Sequence, residues 1–151
     1  MADAVLTALS KSSPEFGYNR IRSAVGDEAD LSVDVGQPVR PTGQNPNNVL
    51  YSDASAADTA FVMGLAASAS EKLGYRGGHV DVQFAGPLTL TPAQWDRVTG
   101  EEGGLTPGAL YYLSNTAGMI AQAPGDNIVQ VGRAMSETTM LIQIQYPLPS
   151  P

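Results

Sequence analysis

The sequence predicts an all-β fold, a compact barrel or sandwich of short antiparallel strands, and three observations predict it. From Leu31 onward, short runs rich in Val, Ile and Tyr are separated by Gly, Pro, Asn and Asp, the spacing of a barrel or sandwich. Two stretches, His79-Val80-Asp81-Val82-Gln83-Phe84 and Leu141-Ile142-Gln143-Ile144-Gln145-Tyr146, alternate apolar and polar side chains between two faces. The third observation is a faint internal repeat. Met63-Gly64-Leu65-Ala66-Ala67-Ser68 matches Val131-Gly132-Arg133-Ala134-Met135-Ser136 as apolar-Gly-x-Ala-x-Ser. Upstream, Val35-Gly36-Gln37-Pro38-Val39 parallels Pro107-Gly108-Ala109-Leu110-Tyr111; downstream, Val82-Gln83-Phe84 parallels Ile144-Gln145-Tyr146. The expectation is two similar β units, about 31–86 and 104–146, joined by the segment around Trp95. Two copies are too few for a solenoid, so a single barrel with approximate internal symmetry is expected.

Taken in order, residues 4–10 (AVLTALS) make at most a helical turn or two before Ser12-Ser13-Pro14 stops them. Residues 1–25 therefore read as an N-terminal arm, 26–146 as the β body and 147–151 (PLPSP) as an extended tail. Strands are expected near 20–25, 37–41, 48–52, 60–67, 79–84, 109–113, 118–122, 127–134 and 139–145. One helix is expected inside the β region. In LTLTPAQWDRV, Thr91 suits an N-cap and Pro92 the first helical position. Trp95 then packs that short helix onto the body, closing one end, or else stands out as an exposed binding anchor.

The stretch Gly103–Ser114, GGLTPGALYYLS, poses the choice between a catalytic loop, a ligand cradle and a turn that starts a strand. Gly103-Gly104 and Pro107-Gly108 suit a turn. In the strand that follows, Tyr111 and Leu113 share one face and Tyr112 points away, which makes Tyr112 a candidate interface residue.

Composition narrows the function. The 151 residues suit one domain, or a domain with an arm, large enough to bury about 68–70% of the unfolded surface without metal or disulfide. There is no cysteine, which removes disulfides, thiolate nucleophiles and cysteine-ligated zinc. The formal charge of −7 opposes binding to a phosphate backbone. Residues 1–25 carry Lys11, Arg20 and Arg22 against Asp3 and Glu15, a net of +1, which leaves −8 for the rest. No signal peptide or membrane span is visible, and a soluble chain is expected.

No constellation for catalysis stands out. His79, the sole histidine, follows Gly77-Gly78 with no nucleophile at a fitting spacing, so a structural or interface role is favoured over a general base. A zinc site normally gathers several His or Cys ligands. The run Asp27-Glu28-x-Asp30-x-x-x-Asp34 only loosely resembles a calcium loop, lacking the glycine and terminal glutamate; a solvated acidic turn is favoured. Glu101-Glu102 beside Gly103-Gly104 likewise reads as a turn. None of the glycine-rich places fits a phosphate-binding motif. No cofactor or metal and no enzymatic activity are expected. Arg20 and Arg22 alternate with Asn19 and Ile21, so they either share one face of a strand that adds to a neighbour's sheet edge or are simply solvated.

Over about 80–146 the sequence resembles a β-rich domain of small virion proteins of tailed bacteriophages, capsid decoration (cement) proteins and head-fibre or tail-fibre segments. The residues that carry the resemblance are TPAQWDRVTG, GGLTPGALYYLS and Val131-Gly132-Arg133-Ala134-Met135-Ser136-Glu137-Thr138-Thr139 before an alternating last strand. Residues 31–79 fit more loosely, through GQPV and VMGLAAS, and the first 25 are not covered. The resemblance implies a structural homotrimer on the outer surface of a capsid, partnered by the major capsid protein, with neither nucleic acid nor membrane as partner and no catalytic residues to carry over. Phe16, Tyr18, Arg20 and Arg22 in the arm, with Tyr112, are the expected contacts with the capsid or a neighbouring subunit. The alternative is a fibre module that binds a host-surface receptor. A polysaccharide hydrolase is a third reading, disfavoured because the acid/base pair it needs is not evident.

Overall fold

The computed structural model describes residues 19–25, 33–41, 48–69 and 79–146. Over the described residues the chain is all-β with one short helix. In order, the elements are β1 (Arg20–Val25), β2 (Pro38–Pro41), β3 (Asn48–Tyr51), β4 (Gly64–Ala66), β5 (His79–Gln83), β6 (Gly86–Thr89), α1 (Pro92–Thr99), β7 (Leu110–Leu113), β8 (Ile120–Ala121), β9 (Gln130–Ala134) and β10 (Thr139–Gln145). The first five strands pair in the order β1-β3-β2-β4-β5, and β5 returns to β1, so the ladder forms a ring. Only β1 and β3 are parallel in it. The second five form an open antiparallel sheet, β6-β10-β9-β7-β8.

The two sheets are one topology used twice. Reading β6 to β10 for β1 to β5, every antiparallel neighbour in the first sheet recurs in the second. The register recurs as well. Val39 faces Gly64 as Tyr111 faces Gly132; Ala66 faces Val82 as Ala134 faces Met140; Val82 faces Ile21 as Met140 faces Leu88. The apolar-Gly-x-Ala-x-Ser motif has a matching task at each place. A Cβ on Gly64 would lie 2.3 Å from the Gln83 carbonyl oxygen, and one on Gly132 2.3 Å from that of Leu141, so only glycine lets the strands approach. The alanine carbonyl receives the N–H of the glycine that opens the unit, Gly36 to Ala66 and Gly108 to Ala134, both at 2.7 Å. The serine hydroxyl accepts an N–H of the next strand: Asp81 to Ser68 at 3.0 Å, Thr139 to Ser136 at 3.1 Å.

The third expected correspondence is displaced by four residues, two periods of the strand. Val82 takes the place of Met140, not of Ile144. A strand shifted by an even number keeps its apolar face inward, so alternation alone does not distinguish the two registers.

Chemistry at two corresponding positions explains why one copy closes and the other stays open. Ala24 and Val25 extend β1 and pair with Asn48 and Val49 of β3. The matching positions in the second copy are Thr91 and Pro92. Thr91 is instead an N-cap: its side chain accepts from the Gln94 N–H, and the Gln94 side chain accepts from the Thr91 N–H. Pro92 has no N–H to offer a ladder. The chain turns into α1, which ends on Gly100 in the left-handed region.

Two cores result. The barrel interior holds Val33, Val39, Val49, Ala66, Val80 and Val82. The larger core lies between the inner face of the open sheet (Leu88, Tyr111, Leu113, Ile120, Met140, Ile142), the helix (Trp95, Val98) and the outside of the barrel (Val35, Ala54, Val62, Leu65). Trp95 is fully buried with its Nε1–H donated to the Thr138 carbonyl at 2.8 Å, which disposes of the exposed-anchor alternative.

Several expectations need correction. The body is a barrel joined to an open sheet, not a single symmetric barrel. The Trp95 segment lies within the second unit, between β6 and β7, rather than linking two units. β6 is not among the expected strands, since Gly86-Pro87 reads as a strand breaker; it is an edge strand, where a proline is tolerated. The run 60–67 pairs only over Gly64–Ala66. The body begins before residue 26, since β1 is a barrel strand; residues 1–18 and 147–151 lie outside the described residues. No helix among the described residues is long and apolar enough to cross a membrane.

Candidate functional site

The outer face of the open sheet is built from residues that alternate with the core. Register places Leu110 of β7, Arg133 of β9, Leu141 of β10 and Pro87 of β6 in one row across it. Tyr112 lies two residues along from Leu110, beside Ala121 of β8 and Gln130 of β9. Leu110, Tyr112 and Leu141 are partly exposed, whereas Tyr111 and Leu113 between them are buried. Arg133 and Pro87 are exposed, and the Arg133 guanidinium donates to the Gly108 carbonyl at 2.7 Å. The row is therefore apolar apart from one cation.

Its counterpart in the barrel is Pro38, Leu65, Gln83 and Arg20, and that row is covered. Leu65 belongs to the larger core, and Gln83 is fully buried. The Gln83 amide donates to the carbonyls of Ala85 and Pro87 at 3.1 and 2.8 Å, and its oxygen accepts from Arg20 Nε at 3.1 Å. Topologically, the same face is thus packed against a second sheet in one copy and partly exposed in the other.

Of the expected interface residues, the three described ones are split between the two sheets. Phe16 and Tyr18 lie outside the described residues. Arg20 is held at the seam by Gln83 and is not a free contact. Arg22 is exposed and reaches Asp81 at 3.8 Å, a pair worth little in water. Because β1 pairs with β5 and β3 of its own chain, these arginines belong to a barrel strand rather than to one that adds to a neighbour's edge. Tyr112 lies in the other sheet, on its outer face as expected.

The remaining candidates resolve into structural roles. Asp34 pairs with Arg97 of α1 at 2.9 Å and accepts the Val35 N–H; residues 27–32 lie outside the described part. Gly103 and Gly104 donate their N–H groups to the Asp96 carboxylate at 3.1 and 2.7 Å, which makes the start of GGLTPGALYYLS a turn. The Tyr111 hydroxyl accepts the Thr106 N–H at 2.9 Å, and Gln122 bonds both Glu101 oxygens. His79 is exposed at the start of β5. No group of three His, Cys, Asp or Glu among the described residues is placed to hold a metal ion.

One feature has no sequence signal at all. Phe61 and Tyr146, far apart in the chain, stack with ring centroids 5.7 Å apart and planes inclined by 24°. Both are about half exposed, and the Tyr146 hydroxyl donates to the Val62 carbonyl and accepts its N–H, each at 3.1 Å. Burial raises the Tyr146 phenol above its usual 10.0, against a smaller lowering by the Val62 backbone bond.

No protein-family model matches the chain, and no curated protein matches it.

Proposed function

We propose that the chain is a structural virion protein, a trimeric cement that binds the outside of a tailed-phage capsid through the outer face of its β6–β10 sheet. The observation that carries this reading is the face used twice: packed against a second sheet at Leu65 and Gln83, and partly exposed at Arg133 and Leu141. The row of Leu110, Leu141 and Pro87, with Tyr112 beside it and Arg133 as its one cation, has the apolar, aromatic and arginine make-up that suits association with another protein surface. The resemblance of residues 80–146 to decoration domains supplies the class of partner, the major capsid protein. The net charge of −7 keeps the chain off packaged nucleic acid. A trimer that engages several shell subunits holds on through many modest contacts. Neither catalysis nor a cofactor enters this role.

The test is co-pelleting with purified, undecorated phage heads. The wild-type chain pellets with heads to saturation, and Leu141→Glu and Tyr112→Glu, still folded, pellet at least about tenfold more weakly. Equal pelleting by all three disproves the assigned face; no pelleting of the wild type disproves the cement role. The exposed Phe61–Tyr146 stack favours a second reading, a fibre module for a host-surface receptor. Binding to intact host cells that is lost in Phe61→Ala, without binding to heads, would select it.

A further inference from the structure

Beside the Phe61–Tyr146 stack lies an open pocket of ≈ 280 Å³ lined by Ala57, Ala60, Phe61, Asn127, Val129 and Tyr146. Its chemistry is apolar. The Tyr146 hydroxyl is engaged by both backbone groups of Val62, so the pocket meets the ring rather than the phenol. Asn127 spends its amide N–H on the Ala54 carbonyl at 2.9 Å, and its backbone N–H goes to the same oxygen at 2.9 Å. A sugar needs several convergent polar groups, and this lining does not offer them. At just under the roughly 300–1,000 Å³ typical of drug-sized ligands, the space suits one or two apolar side chains.

The sequence that leaves the rim has the matching chemistry. Residues 147–151, Pro-Leu-Pro-Ser-Pro, follow directly on Tyr146. Proline at alternate positions favours the polyproline II conformation, and such segments dock into aromatic-lined grooves at low entropic cost. In that conformation five residues span about 15 Å, at about 3.1 Å each, and a straight segment of that kind runs away from the rim it leaves rather than doubling back into its own pocket. We propose that this pocket binds residues 147–151 of a second copy, so that each copy offers one tail and receives one. The contact is head-to-tail, which closes into a ring when the rotation between copies permits. It does not depend on what the assembled protein decorates.

The experiment has two parts. A chain lacking residues 147–151 is titrated with the peptide Pro-Leu-Pro-Ser-Pro and with the control Ala-Leu-Ala-Ser-Ala, followed by NMR. The expected result is saturable shifts at Ala60, Phe61 and Val129 with the first peptide and none with the second. Phe61→Leu, which keeps an apolar side chain, weakens that binding several-fold. The full chain and the shortened chain are then compared by sedimentation over a range of concentrations. Removing the tail weakens self-association by about tenfold or more, a loss of roughly 1.4 kcal/mol. Peptide shifts confined to other surfaces, or none up to millimolar concentration, overturn the proposal. So does a full chain that stays monomeric with its pocket already occupied, since the tail would then lie in its own pocket.

Discussion

Gly36 and Gly108 hold the same place in the two copies of the repeat, yet the space beside them differs. Both lie at positive φ, 86° and 82°. A Cβ on Gly36 would meet Val98 Cγ2 at 3.0 Å, Leu90 Cδ1 at 3.2 Å and Trp95 Cζ3 at 3.4 Å, whereas one on Gly108 would meet nothing within 4 Å. Gly108→Ala therefore carries only the backbone cost of a left-handed residue, about 1–2 kcal/mol. Gly36→Ala carries that cost and disturbs the core beneath α1. Urea unfolding of the two variants should rank Gly36→Ala clearly lower; equal losses would contradict the assignment.

Trp95 fills the opening that strand pairing leaves in the second copy. Trp95→Ala is expected to cost about 3–5 kcal/mol, as other buried aromatic truncations do. Trp95→Phe keeps most of the volume but takes the indole donor from the Thr138 carbonyl, with an expected cost of about 1–3 kcal/mol. Thermal unfolding distinguishes them: Phe should recover a substantial part of what Ala loses.

Gln83 ties the barrel to the open sheet. Its buried amide serves the Ala85 and Pro87 carbonyls, and its oxygen serves Arg20. Gln83→Leu fills similar space but supplies none of these bonds, and a loss of roughly 1–3 kcal/mol is expected. Amide exchange should then speed up first in β1 and β6. Uniform exchange across both sheets would show that the seam is not where the bond matters.

Asp53 makes the fold sensitive to acid. Burial acts to raise its carboxyl, but hydrogen bonds from Ser55 and Thr59, with the Arg40 charge nearby, outweigh it and hold the group below its usual 3.8. A carboxyl lowered by folding contributes stability above its unfolded value, and that contribution is lost as pH falls through the native one. Stability should thus drop below about pH 4, and Asp53→Asn should flatten that part of the profile. An unchanged acid limb in the variant would assign the effect to other carboxylates.

How much of this was legible depended on how local the chemistry is. The helix at Trp95 could be read because its signals, Thr91 and Pro92, are adjacent and lie within about one turn of Trp95. The glycine-alanine-serine motif was legible because each member meets a requirement of strand pairing. Register between distant strands was not: an even slip preserves alternation, and so Val82 was aligned with Ile144 rather than Met140. Ring closure depends on whether β1 reaches β3, a contact across some twenty residues that no local pattern announces. The Phe61–Tyr146 stack is longer-range still. Of the candidate interface, Tyr112 was recognisable by alternation, but Leu110, Arg133, Leu141 and Pro87 join it only once the sheet order is known.

The central claim is the orientation of the chain on a shell, and electron cryo-microscopy of undecorated heads incubated with the protein measures it directly. The account predicts added density at three-fold positions, with the row Pro87–Leu141–Arg133–Leu110 and Tyr112 turned toward the capsid. Heads that gain no density, or density with that face toward solvent, would contradict it.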